Sequence, residues 1–173
     1  MSNPYRKEIT INEAATPAAA VEGKLPKGMK ANSGQELLKE VLAALRAQSW
    51  LFQSLHWRVQ GSDFYETHLL FERLYGDVGA EIDSLAEKIV GYYGSDAVEE
   101  VDAIKRASIW LNTWEGEPID KALQAEKQFQ ALLRKTYDTM SGKSELSLGL
   151  DDYLMATASA HETHLYLLGQ IKS

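Results

Sequence analysis

The chain has 173 residues, 45% of them hydrophobic and 25% charged, enough for one domain with a substantial buried core. It contains no cysteine, which excludes disulfides and thiolate metal sites; any metal must be held by His, Asp, Glu or backbone, pointing to iron, manganese or zinc. A net charge of −7 is the wrong sign for a body that grips nucleic acid. No run of about 18–20 apolar residues exists to cross a membrane, and the first residues lack the apolar core of a signal peptide. A cytoplasmic location and no membrane partner are therefore expected.

Residues 1–33 read as a flexible N-terminal tail, rich in Ala, Pro, Gly and Lys and without apolar periodicity. Five basic groups (Arg6, Lys7, Lys24, Lys27, Lys30) against three acidic ones (Glu8, Glu13, Glu22) give the tail +2 and leave −9 on residues 34–173. Ser33 and Glu36 form a capping box, in which a side-chain oxygen and a Glu three positions on satisfy free N–H groups. Leu38, Val41, Leu42, Leu45, Phe52, Leu55 and Val59 then recur at helical spacing and predict a first helix over about 34–60, ended by Gly61. Asp63 and Glu66 suggest a second capping box. The stripe Phe64, His68, Phe71, Tyr75, Val78, Ile82, Leu85, Ile89 predicts a second helix over about 64–91, closed by Gly94. Gly76 and Gly79 weaken it locally and are read as allowing close backbone approach.

A shorter helical piece is expected over about 97–112, and Pro118 marks the start of a third long helix, about 119–140. That helix runs through Leu123, Glu126, Phe129, Leu133, Thr136 and Met140; a fourth, about 146–171, runs through Leu150, Leu154, Ala158, His161, Leu165 and Leu168. Four long helices and no convincing strand predict an all-α four-helix bundle with a short extra helix in the long second connection. The short first connection makes the first two helices antiparallel neighbours.

Four residues stand out as a chemical constellation: His56, His68, Asp83 and Glu87. Asp83 and Glu87 are four apart and share a helix face. His68 and Asp83 are 15 residues apart on one helix, roughly 22 Å along its axis, so no single ion can touch both in one chain. His56 and His68 flank a short turn and can meet. The chain thus carries two half-sites, which a two-fold dimer could join, making two complete sites at once. The usual di-iron bundle centre needs Glu-x-x-His on two helices. This chain has only Glu66-Thr-His68 and Glu162-Thr-His164, one residue too tight, which argues against a centre inside the bundle.

The segment His56-Trp57-Arg58-Val59-Gln60-Gly61-Ser62-Asp63-Phe64-Tyr65-Glu66-Thr67-His68, followed by Asp83-Ser84-Leu85-Ala86-Glu87-Lys88, resembles the signature of the Dps family, the DNA-binding proteins from starved cells. The end of the fourth helix, His161 to Leu168 with Tyr166 at an aromatic position, resembles the family's closing segment, and the resemblance covers about 34–171. It implies a ferritin-like mini-ferritin, assembled into a hollow dodecameric shell with iron sites at two-fold interfaces. His56 and His68 would come from one subunit and Asp83 and Glu87 from its neighbour. The implied activity is ferroxidase: Fe(II) oxidised with hydrogen peroxide and stored as Fe(III) mineral, protecting against oxidative stress. Trp57 would intercept radicals beside a ligand, Asp152 and Glu162 would line a three-fold pore for iron, and Glu72 would nucleate mineral.

Plainer readings stand beside these. Trp57 also reads as a packing residue, Asp152 and Glu162 as surface acids, and His161 and His164 as packing residues with an accessory metal site as the alternative. Two other functions are open. One is a nucleoid-associated protein that coats DNA through its basic tail. The other is a helical oligomer whose ligands hold zinc or manganese for structure only.

Overall fold

The computed structural model describes residues 23–27, 29 and 31–172; the first 22 residues of the expected tail lie outside them. Among the described residues the chain forms five α-helices, α1 Gly34–Arg58, α2 Phe64–Tyr93, α3 Glu100–Leu111, α4 Pro118–Gly142 and α5 Leu148–Lys172, with a 3-10 turn at Ser95–Val98. There is no strand among the described residues. The architecture is the ferritin-like four-helix bundle expected, with α3 as the extra piece in the second connection.

α1 begins at Ser33, whose hydroxyl accepts the Glu36 N–H at 3.2 Å. Only half of the expected box is built, because the Glu36 carboxylate turns outward to accept from Arg106 at 2.8 Å. The second capping box does not form: Asp63 makes no side-chain cap, since its φ of −98° and ψ of 22° depart from the extended conformation that aims a capping oxygen. The turn closes on backbone instead, with the Phe64 N–H donating to Gly61 O at 3.3 Å. Gly61 holds φ +104°, a conformation L side chains rarely adopt, so α1 can reverse into α2 within five residues. Gly94, at φ +85°, stops α2, and Pro118 opens α4 where its missing N–H costs nothing.

The four long helices pack in a ring, α1 beside α2, α2 beside α5, α5 beside α4 and α4 beside α1. The core is filled by Leu38, Leu45, Phe52, Phe71, Leu85, Ile89, Phe129 and Leu132, none of them exposed to solvent. Each such side chain contributes about 1.5–3 kcal/mol by leaving water. The stripe expected on α2 is largely buried, with two changes: Leu74 joins it, and Phe64 lies half outside, stacked on His68.

The second connection carries the chain back along the bundle, bringing Glu117, Pro118 and Ile119 beside the α1–α2 turn. α3 is pinned to α1 by an ionic network. Arg106 donates to Glu40 at 2.7 Å, Glu36 at 2.8 Å and Asp102 at 2.9 Å. The Trp110 indole donates to the same Glu40 at 3.0 Å, so this nearly buried carboxylate is satisfied from two sides. Before α1, Leu25 and Met29 pack on the core, Ala31 is buried and Lys143 donates to Asn32 O at 3.0 Å.

Gly76 and Gly79 differ from expectation. A Cβ at either position would meet nothing within 4 Å, so no backbone of the same subunit approaches them. Both lie on the exposed side of α2.

Candidate metal sites

His56 sits in the last turn of α1 and His68 in the second turn of α2, and the tight reversal at Gly61 stacks their rings at 3.7 Å, 24° apart. Each ring is tied to the other residue's backbone. His56 Nδ1 donates to His68 O at 2.9 Å, and His68 Nδ1 donates to His56 O at 2.8 Å. A carbonyl can only accept, so both protons are on Nδ1, and in the neutral imidazole both Nε2 atoms keep their lone pairs. Phe64 stacks on His68 at 5.0 Å and Tyr75 meets His56 edge-on at 5.4 Å, which fixes both rings. The result is a pre-set pair of nitrogen donors, half-exposed at one end of the bundle.

Asp83 and Glu87 are both exposed and lie further along α2, which is unbroken from Phe64 to Tyr93. Their distance from the His pair follows from the helical rise, roughly 22 Å between His68 and Asp83, and one subunit does not bring the four together. Glu72 is exposed one turn after His68, on the same side of α2 as Asp83. Asp152 and Glu162 are exposed on α5, ten residues and so roughly 15 Å apart, and do not form one site within a subunit. Trp57, read both as a radical interceptor beside a ligand and as a packing residue, is 69% exposed at the end of α1, beside His56.

A second cluster joins His161 and His164, read from the sequence as packing residues or an accessory metal site, to Glu126, which the sequence did not single out. Glu126 of α4 and His161 and His164 of α5 are buried in the bundle core, with 0%, 0% and 2% exposure. His161 Nδ1 and Glu126 Oε2 are 2.5 Å apart, and His164 Nδ1 and Glu126 Oε1 3.1 Å apart. The far nitrogens face α2: His161 Nε2 lies 2.8 Å from Glu81 Oε2, and His164 Nε2 3.4 Å from Asp77 Oδ2. Burial raises the Glu126 carboxyl, but the charge of His161 and hydrogen bonds from both imidazoles outweigh it and hold the group below the usual carboxylate range. Burial lowers His161, and Glu126 and Glu81 overcome it, pushing the imidazole up to about 10. The absence of Glu-x-x-His argues against the usual di-iron centre inside the bundle, and it gives no sign of this cluster. That motif concerns neighbours on one helix, whereas this cluster is assembled from three. Its signal in the sequence was Glu126 standing in an apolar stripe between Leu123 and Phe129.

No protein-family model matches the chain. Among curated proteins it is 26% identical over 125 residues to general stress protein 20U of Bacillus subtilis, covering 65% of this chain and 79% of that one. It is 31% identical over 77 residues to the DNA protection during starvation protein of Brevibacillus brevis, covering 42% of this chain and about half, 52%, of that relative. Among solved structures it matches Dps of Thermosynechococcus elongatus with a TM-score of 0.71 at 21% identity, over 81% of this chain and 90% of that one. It also matches a Dps protein of Vibrio cholerae, described as a member of a broad superfamily of ferritin-like diiron-carboxylate proteins. There the TM-score is 0.69 at 18% identity, over 81% and 89% of the two chains. The resemblance to Dps proteins thus holds in sequence along part of the chain and in fold along most of it.

Proposed function

We propose that this protein oxidises Fe(II) at sites shared between two subunits and stores the Fe(III) as mineral inside a hollow, dodecameric homo-oligomer. The observation that carries the reading is the stacked His56–His68 pair, whose donor atoms are pre-set while the carboxylates Asp83 and Glu87 lie too far along the same helix to join them. A second subunit related by a two-fold axis supplies what the first lacks. The exposed side of α2 suits such a contact: it carries Leu69 and Val90 as well as Asp83 and Glu87, all exposed. The fold shared with Dps proteins supports it further.

In this reading Fe(II) is the substrate. The two Nε2 lone pairs bind it from one subunit, and the carboxylates of the neighbour supply hard, negative oxygen donors that favour the higher charge of Fe(III). Two Fe(II) ions each give one electron to hydrogen peroxide, whose O–O bond breaks, and with two protons it leaves as two waters. Trp57 is the residue proposed to intercept a stray oxidising radical, a reading supported by its exposure beside His56. Glu72 is the carboxylate proposed to seed mineral, and Asp152 and Glu162 to line a pore for incoming iron. Zinc or manganese can occupy the same donors without turnover.

The test is Fe(II) oxidation followed by absorbance, with peroxide or air, on protein whose particle mass is measured in the same preparation. Fast peroxide-driven oxidation by a particle of about twelve subunits is expected. A dodecamer that binds metal but oxidises no iron would leave a structural metal role. The Brevibacillus brevis relative is named for DNA protection, and the tail carries five basic groups. DNA coating by the tail is therefore a second reading. It expects a low-salt gel shift that disappears when residues 1–33 are removed.

A further inference from the structure

We propose that the core of each bundle holds a second metal site, separate from the shared one, in which Glu126, His161 and His164 bind one divalent transition-metal ion. One donor atom from each residue lies within 4.8 Å of the others, and all three side chains are buried. An ion about 2.0–2.1 Å from its nitrogen and oxygen ligands spans donors up to roughly 4 Å apart, so small side-chain rotations bring the three onto one ion.

The atoms that converge are His161 Nδ1, His164 Nδ1 and the Glu126 carboxylate. The other nitrogens are already committed to carboxylates on α2, His161 Nε2 to Glu81 at 2.8 Å and His164 Nε2 to Asp77 at 3.4 Å. Without metal, Nδ1 of each ring donates to Glu126; with the Nε2 protons held by those carboxylates, an incoming ion displaces the Nδ1 protons and takes up the lone pairs they leave. A carboxylate behind each ligating imidazole is the usual outer support of such a site. Two imidazoles and one carboxylate make a borderline donor set suited to Zn(II), Co(II) or Fe(II), with a further coordination position left open.

Charge argues the same way. Glu126, Glu81 and Asp77 bring three carboxylates to one place, and the only Lys or Arg recorded in an ion pair with them among the described residues is Arg73, 3.5 Å from Asp77. Together with Arg73, a divalent ion between imidazoles that have given up their Nδ1 protons brings the group to neutrality. There is also an independent sign of incompleteness. Gln48 of α1 is fully buried, and neither its amide nitrogen nor its oxygen has a partner. It lies eight residues before His56, so across the antiparallel α1–α2 pair it is level with the residue eight after His68, adjacent to Asp77. All four long helices thus place a polar residue at about one level of the bundle. The outer carboxylates differ in access, with Asp77 half-exposed and Glu81 mostly buried. Asp83 is two residues beyond Glu81, roughly 200° around the helix, so the two metal sites lie on opposite sides of α2.

The test uses the full chain carrying His56→Ala and Asp83→Ala, which removes the shared site and leaves the core cluster untouched. This protein is stripped of metal, titrated with Zn(II) by calorimetry, dialysed and assayed for bound metal, with helicity and particle mass checked. One Zn(II) per subunit is expected to remain, and Glu126→Gln on the same background is expected to abolish it. Glu81→Gln is expected to weaken binding by about 10–100-fold. Absence of Zn(II) uptake by the first variant overturns the proposal whether or not Glu126→Gln folds, and so does full stoichiometry in folded Glu126→Gln. Iron oxidation is not read, so failure here leaves the shared site standing.

Discussion

His56 and His68 hold each other through reciprocal bonds, each Nδ1 donating to the other's backbone carbonyl at 2.9 and 2.8 Å. The pair therefore acts as one rigid donor unit, whose position relative to Asp83 is fixed by a single unbroken helix. If iron oxidation needs both halves, they must come from two subunits. Chains carrying His56→Ala with His68→Ala, and chains carrying Asp83→Ala with Glu87→Ala, are each expected to be severely slowed in peroxide-driven oxidation. Unfolded together and reassembled, they should recover. Half of the pairs in a random mixture are hetero-pairs, each with one intact site, so about a quarter of the wild-type rate should return. No recovery in a properly sized particle would count against the shared site.

Gly76 and Gly79 give a second prediction. They lie on the side of α2 that carries Asp83, and a Cβ on either meets nothing within the subunit. Gly76→Leu should leave the isolated fold intact, with a helix-propensity gain of about 0.5–1 kcal/mol. On a two-fold interface the same side chain should obstruct the neighbour. Reduced particle mass with retained helicity is expected from light scattering and circular dichroism; an unchanged mass would move the interface off this face.

The Arg106 network should matter for stability rather than for iron. Glu40 is 7% exposed, and Arg106 and the Trp110 indole are its partners. Arg106→Met keeps much of the packing but leaves a buried carboxylate short of its counter-ion, at a cost of about 3 kcal/mol. Denaturant unfolding should show that loss, and Glu40→Gln added to Arg106→Met should return part of it.

Acid should loosen the same region. The Lys39 hydrogen bond, opposed by burial and aided by Arg106, holds Asp102 below its ordinary value of 3.8. Above that value the carboxylate is charged in both folded and unfolded chains, and its stabilisation is complete. As pH falls, the unfolded chain takes up the proton first, so the contribution fades as pH drops toward and through the depressed folded value. Unfolding measured from pH 6 to 3 should therefore show a weaker acid loss in Asp102→Asn than in the parent.

Much of this protein was legible in its sequence because helix starts and stops are local events. Ser33, Gly94 and Pro118 act through their own backbone neighbourhood, and the four long helices appear where apolar spacing put them. Asp63 misled because a capping residue needs an extended backbone, and the Gly61 turn imposes another. The His56–His68 pair was readable because twelve residues and one tight turn join them, and the separation from Asp83 because a helix has a fixed rise.

The sequence by itself thus determined the bundle, the turn, the meeting of His56 with His68 and their separation from Asp83 and Glu87. Tertiary structure alone decided that Glu126, His161 and His164 meet Glu81 and Asp77, because those contacts join helices up to 87 positions apart in the chain. Helical period tells which residues face inward, but not which inward residues of different helices share a layer. That depends on how far each helix slides along its neighbours, which is set by side-chain packing across the whole core.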